Sequence, residues 1–192
     1  MIKLLIAILY HASFWFLVLM LAWQAYVLIF NRGVPNIRTA PAIRKKIIEI
    51  LKADFAARGK KPYIIIDLGS GNGLFTREIA QALPEARVIG LEISPQQVAW
   101  SDHIKQKTNL NNLTYEKADF LARDLSEADA VVFYLVSTLM ESVGKKLQQD
   151  LKPGTLVTSN RFRLGGGWMP EQTLEIQTLY PHQKKLNIYR KA

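Results

Sequence analysis

Ile64-Ile65-Ile66-Asp67-Leu68-Gly69-Ser70-Gly71-Asn72-Gly73-Leu74-Phe75-Thr76 decides how this chain folds. A run of apolar residues is followed by an acid, a glycine-rich turn and the start of an amphipathic segment. That order reads as strand, tight turn and helix, and it builds a nucleotide-type site at the carboxyl end of a parallel strand. Gly69, Gly71 and Gly73 let the backbone turn sharply and come close to a ligand.

The spacing is G-x-G-x-G. A dinucleotide fingerprint runs G-x-G-x-x-G and sets a pyrophosphate on the helix end. Leu74 stands where its last glycine would be. Asp67, directly before the turn, would repel a pyrophosphate. It would attract the ammonium of an amino-acid-like ligand through a charge-assisted hydrogen bond. These details favour S-adenosylmethionine over NAD.

Two further acids follow at strand ends. Glu92 closes the second strand about twenty residues beyond the turn, where a carboxylate can accept from both ribose hydroxyls; the alternative is a solvent-facing strand end. Asp119 follows the third strand. It can accept from an adenine amino group while the N–H of Phe120 serves a ring nitrogen, or it can cap a turn.

Outward from this stretch, strands and helices alternate. Strands are predicted at Tyr63–Asp67, Arg87–Glu92, Leu113–Lys117, Ala130–Leu135 and Thr155–Asn160. Helices are predicted at Ala42–Arg58, Leu74–Ala82, Pro95–Thr108 and Leu139–Leu151. Alternation of this kind gives an α/β fold with a parallel sheet covered on both faces. The end differs: Thr173–Tyr180 and Lys184–Tyr189, joined by Pro181-His-Gln, read as an antiparallel hairpin. Between them and the fifth strand, Gly165-Gly166-Gly167 and Pro170 argue against a helix. Trp168 in that stretch either stacks on a partner or covers the core.

Upstream, Leu4 to Phe30 carries no Asp, Glu, Lys or Arg. As a helix it is roughly 40 Å long, against a hydrocarbon core of about 30 Å. It is read as a single transmembrane anchor over residues 1–31, with a basic linker at 32–41 and the catalytic domain at 42–192. Ala22-Trp-Gln-Ala25 makes a poor cleavage site for a signal peptide. Lys3 precedes the span, whereas Arg32, Arg38, Arg44, Lys45 and Lys46 follow it. The domain is therefore expected on the cytoplasmic side of a bacterial inner membrane or its equivalent.

The formal charge is +9, and from Arg32 to Lys61 nine Lys/Arg face only Glu49 and Asp54. This charge is read as a topology signal and a solvated helix face, or as attraction to anionic lipid or nucleic acid. The tether makes nucleic acid the weaker partner. The chain has no cysteine, which excludes disulfides, thiol nucleophiles and thiolate metal sites. His11, His103 and His182 are too scattered to suggest a metal site.

Asp67-Leu-Gly69-Ser-Gly71-Asn-Gly73, Gly90-Leu-Glu92-Ile93-Ser-Pro95 and Ala118-Asp119-Phe120 resemble the class I SAM-dependent methyltransferases. Val34-Pro35 to Pro41, Leu125 to Leu135 and Leu151 to Phe162 look like one subgroup. These are the small membrane-anchored lysine methyltransferases of the ATP synthase c-subunit and adenine nucleotide translocator type, with their bacterial relatives. The resemblance implies a Rossmann-like seven-strand sheet with its last strand antiparallel. It implies a cofactor set of Asp67, Gly69, Ser70, Gly71, Gly73, Glu92, Ile93, Asp119 and Phe120, and a protein lysine as acceptor. The chain departs from the pattern after the fourth strand. It reads Tyr134-Leu-Val-Ser137 there, without the Asn/Asp-Pro-Pro-Tyr of amide and adenine methylation. No residue is assigned as a catalytic base. Tyr134 and Ser137 either contact the acceptor or pack and cap.

Overall fold

The computed structural model describes residues 2–30, 37–59 and 62–192. Its helices are α1 (Ile2–Phe30), α2 (Pro41–Arg58), α3 (Leu74–Ala82), α4 (Pro95–Lys105) and α5 (Met140–Asp150). Its strands are β1 (Tyr63–Leu68), β2 (Ala86–Glu92), β3 (Leu113–Lys117), β4 (Ala130–Phe133), β5 (Leu156–Asn160), β6 (Gln172–Glu175) and β7 (Lys185–Arg190). The chain divides into two compact units, the first carrying α1 and the second running from Ile37 to Ala192. Half of the linker expected at 32–41, residues 32–36, lies outside the described residues, as does Lys60-Lys61.

Within the second unit the seven strands form one sheet in the order β3-β2-β1-β4-β5-β7-β6. β1 to β5 are parallel, and β7 runs antiparallel to both β5 and β6. Side chains alternate across β1. Tyr63 and Ile65 join the core formed with Ile43, Ile47 and Leu51 of α2 and Ile79 of α3. Ile66 and Leu68 join the opposite core with Val143 and Leu147 of α5 and with Trp168. Burial on both faces explains the near-continuous apolar reading of β1.

α2 begins with Pro41 in its first turn and ends at Gly59, whose left-handed φ of 56° allows its N–H to return to Phe55 O. α4 ends earlier than its sequence pattern suggests, at Lys105. Gln106, Lys107 and Thr108 close it through tight turns instead.

The terminal hairpin is shorter than its sequence suggests. The ladder stops after Glu175 opposite Lys185, with one more bond from Ile176 N to Lys184 O. Thr178 Oγ1 then bonds both the N–H and the carbonyl of Tyr180, which turns the chain out of the strand. The stretch from Arg161 to Pro170 holds no helix. Its Trp168 is buried, donates from Nε1 to Gly144 O at 2.9 Å and meets Tyr189 edge-on. It therefore covers the core and offers no surface for stacking on a partner.

Candidate active site

The sheet reverses its strand order between β1 and β4, the switch point beyond whose carboxyl ends open α/β sheets bind their ligands. The glycine turn lies there. Gly69 N and Ser70 N both donate to Leu91 O at 2.9 Å, which ties the turn to β2. Gly69, Gly71 and Gly73 take φ values of 72°, 56° and 70°, the left-handed region that L side chains rarely adopt.

The glycines do different work. A Cβ at Gly73 would lie 2.3 Å from Tyr115 Oη and 2.8 Å from Ser101 Oγ. Tyr115 Oη donates to Gly73 O at 2.8 Å, so Gly73 admits the β3 tyrosine beneath the turn. Burial pushes the Tyr115 phenol up to about 12, which keeps it a donor. A Cβ at Gly69 would meet Leu135 Cδ2 at 2.9 Å, so the segment after β4 packs on the turn's first glycine.

Asp67 is 4% exposed and accepts from Thr76 Oγ1 at 2.7 Å. Burial pushes its carboxyl up to about 7; the Thr76 hydroxyl opposes that shift and the charge of Glu92 adds to it. A buried carboxylate with one hydrogen bond and an acid for a neighbour is a site short of positive charge.

Glu92 joins two loops. Oε2 accepts from Gly71 N and Oε1 from Ser94 N, both at 2.9 Å. It is half-buried, so the reading of a freely solvated strand end does not describe it. Each oxygen keeps acceptor capacity beyond its one N–H. Ile93 lies between Glu92 and Ser94 and is also half-buried. Ser70 Oγ is buried without a hydrogen-bond partner, next to Gly90.

Asp119 follows β3 and caps the turn it begins. Oδ1 accepts from Leu121 N at 3.0 Å, and its carbonyl accepts from Ala122 N and Arg123 N. Phe120 is half-buried against the α5-side core. After β4, Tyr134 is half-buried and Ser137 is exposed at the start of a 3-10 turn, Ser137–Leu139.

The strand ends thus bring Asp67, the glycine turn and Glu92 into one bonded cluster, to which β3 contributes Tyr115. Sequence reading missed Thr76, Tyr115 and Leu135. Thr76 carried a signal, being a polar residue on the inward face of an amphipathic helix. Tyr115 and Leu135 read only as core residues.

This donor set suits a cationic amino-acid ligand joined to a ribose. Among the described residues no cation pairs with Asp67, and Glu92 retains acceptors for hydroxyls. The fold is shared with solved methyltransferases. An RNA methyltransferase from Salinibacter ruber, crystallised with S-adenosyl-L-homocysteine, superposes with a TM-score of 0.65 at 24% identity, over 80% of this chain and 93% of that one. The N-methyltransferase NodS from Bradyrhizobium japonicum WM9 gives 0.58 at 14% identity, over 79% and 97%. The chain is a class I SAM-dependent methyltransferase. Residues 67–172 match the model of the ANTKMT methyltransferase domain, and the chain belongs to that family. It is also similar to a protein-lysine N-methyltransferase of Saccharolobus islandicus, 27% identical over 145 residues, which are 75% of this chain and 86% of the relative.

Proposed function

We propose that this chain is a membrane-tethered protein-lysine methyltransferase, acting on a membrane or membrane-proximal protein. The observation that carries the lysine acceptor is the likeness, across three quarters of the chain, to the Saccharolobus protein-lysine N-methyltransferase. The tether rests on α1. Ile2–Tyr26 is 25 residues long, an 18-residue window within it reaches a mean hydropathy of 2.3, and none of that window is buried. Its basic flank orients the domain, residues 42–192, to the cytoplasmic side.

When bound, S-adenosylmethionine supplies a methyl group already activated on a sulfonium, open to in-line displacement. Asp67 pairs with the ammonium of its methionine part, along the turn of Gly69, Ser70, Gly71 and Gly73. Glu92 accepts from the ribose hydroxyls beside Ile93. Asp119 and Phe120 serve the adenine.

The acceptor lysine must reach the methyl as a neutral amine. Desolvation beside a cation favours that form, so the chain's task is to position and dry the nucleophile. Tyr134 and Ser137, following β4, are the side chains offered for that contact.

Calorimetric titration with S-adenosylmethionine tests the site. Asp67→Ala and Gly71→Arg should abolish binding, and unchanged affinity in both variants contradicts it. Membranes incubated with methyl-labelled donor test the acceptor class. Label in protein bands supports the proposal, and label in the solvent extract points to a lipid, a quinone or another small amphiphile.

A further inference from the structure

The compact unit begins at Ile37, and a buried amide holds that beginning in place. Gln183 Nε2 donates to Arg38 O at 3.0 Å, and Ala40 N donates to Gln183 Oε1 at 2.7 Å. Asn160 Nδ2 donates to the same Oε1 at 3.2 Å. Asn160 ends β5 and pairs with Leu186 of β7. Ser159 beside it pairs with Phe133 of β4, which pairs with Leu68 of β1. Residues 37–40 are thereby pinned to the carboxyl end of the sheet, the end that carries the glycine turn.

This end presents apolar and cationic side chains together. Leu179 is 97% exposed, Tyr180 47% and Ile37 48%. The Thr178 turn fixes the loop that carries the first two. Across 37–40, 160–163 and 175–185 the chain has Arg38, Arg161, Arg163, Lys184 and Lys185, all exposed, against Glu175 alone. Arg161 has a left-handed φ of 71°, unique among the described non-glycine residues, and its N–H donates to Lys185 O at 2.7 Å. A side chain held in this costly conformation is fixed by its surroundings, here the start of β7.

We propose that the β6–β7 loop, with Ile37, Arg38 and Arg161, is the face on which the catalytic domain rests against an anionic lipid surface. The inference rests on the tether reading above. Charge together with exposed apolar side chains favours lipid over an acidic protein. Five cations around an exposed leucine and tyrosine match the interfacial layer, where aromatic rings sit among headgroups and basic side chains meet anionic lipid. Only residues 31–36 separate α1 from Ile37, at most about 25 Å of fully extended chain. The docked domain turns its cofactor end toward the membrane, and the acceptor lysine enters from the bilayer surface.

The absence of native cysteine makes a direct test available. Full-length Leu179→Cys, and as a control Lys152→Cys on the exposed turn before β5, carry a polarity-sensitive dye. The chains are reconstituted into vesicles of phosphatidylcholine alone or mixed with phosphatidylglycerol. The dye at position 179 should shift to the blue and be quenched by lipid-borne nitroxide in the mixed vesicles, while the dye at 152 should not. Arg38→Glu with Lys184→Glu should remove most of the shift without changing the thermal midpoint. Equal quenching by aqueous iodide at 179 and 152 in the mixed vesicles overturns the inference, as does a shift that survives both charge reversals. Alkaline carbonate extraction separates this from the tether. A chain that washes out yet keeps lipid contact at 179 overturns the tether alone. A chain that stays in the membrane without that contact overturns the docking face alone.

Discussion

Thr76 Oγ1 reaches back from the first turn of α3 to donate 2.7 Å to the buried carboxylate of Asp67 at the end of β1. The bond joins strand and helix across the glycine turn, and among the described residues it is the hydrogen bond that favours the ionised form of a carboxyl that burial has pushed up to about 7. Function and stability therefore pull in opposite directions at this residue.

The sign of that conflict is fixed. Burial raises the folded carboxyl to about 7, well above the ordinary carboxylate range, so between about pH 4 and pH 7 the folded state holds a proton that the unfolded state has lost. The stabilising proton is fully present below pH 4, and its contribution is lost as pH rises through about 7. Asp67→Asn, which keeps an acceptor for Thr76, should raise the ligand-free thermal midpoint above pH 7 and converge on wild type toward pH 4. Calorimetry across that range checks it; equal midpoints at all pH values would place the charge of Asp67 outside the buried site.

The same group sets a binding profile. On the proposed pairing, the ammonium of the donor needs the ionised carboxylate of Asp67. Affinity should fall from about pH 7.5 to about pH 5.5, approaching tenfold per unit below the carboxyl's pKa. Asp67→Asn should bind more weakly and without that slope. Isothermal titration at several pH values reads both.

Gly73 and Gly154 share a positive φ, 70° and 85°, and differ in what surrounds them. A Cβ at Gly154 meets nothing within 4 Å, whereas one at Gly73 runs into Tyr115. Gly154→Ala should cost about 1 kcal/mol from the backbone alone, and Gly73→Ala about 3 kcal/mol with the clash added. Tyr115→Phe should not rescue the second, because the ring carbon Cζ itself lies 2.6 Å from the new atom. Urea unfolding of the four proteins gives the comparison.

Asp54 of α2 is buried and binds three partners: Tyr63 Oη at 2.5 Å, Arg58 Nε at 2.9 Å and Arg190 Nη1 at 2.8 Å. Burial first, then Asp54, push the Tyr63 phenol far above its usual range. One carboxylate thus joins α2, β1 and β7. Asp54→Ala leaves the buried end of that network uncompensated and should cost about 3 kcal/mol or more, without altering donor affinity per folded molecule.

Much of this was legible in the chain. The apolar run at Ile64–Ile66, the glycines after Asp67 and the alternation that follows gave the parallel sheet, because strand and helix periods differ and both faces had to be covered. The antiparallel end followed from two adjacent strand patterns. The strands' lengths did not, because Thr178 stops the ladder by a side-chain bond that periodicity does not record. Within the site, Asp67 and Glu92 were legible as acids at strand ends. The burial of Asp67 and the two N–H groups held by Glu92 required the fold. Gly73 also makes room for Tyr115, a contact 42 residues away in sequence that no local pattern records. Gln183, buried in a segment that reads as a polar turn, gave no local sign that it holds the start of the domain.

The central claim is that the site formed by Asp67, the glycine turn and Glu92 delivers a methyl group to a lysine presented at a membrane. Mass spectrometry of membranes incubated with full-length protein and methyl-labelled S-adenosylmethionine tests it most directly. The account predicts labelled methyl on lysine Nζ of a membrane protein, absent with Asp67→Ala. Label confined to lipid, to nucleic acid or to residues other than lysine, or undiminished in Asp67→Ala, would contradict it.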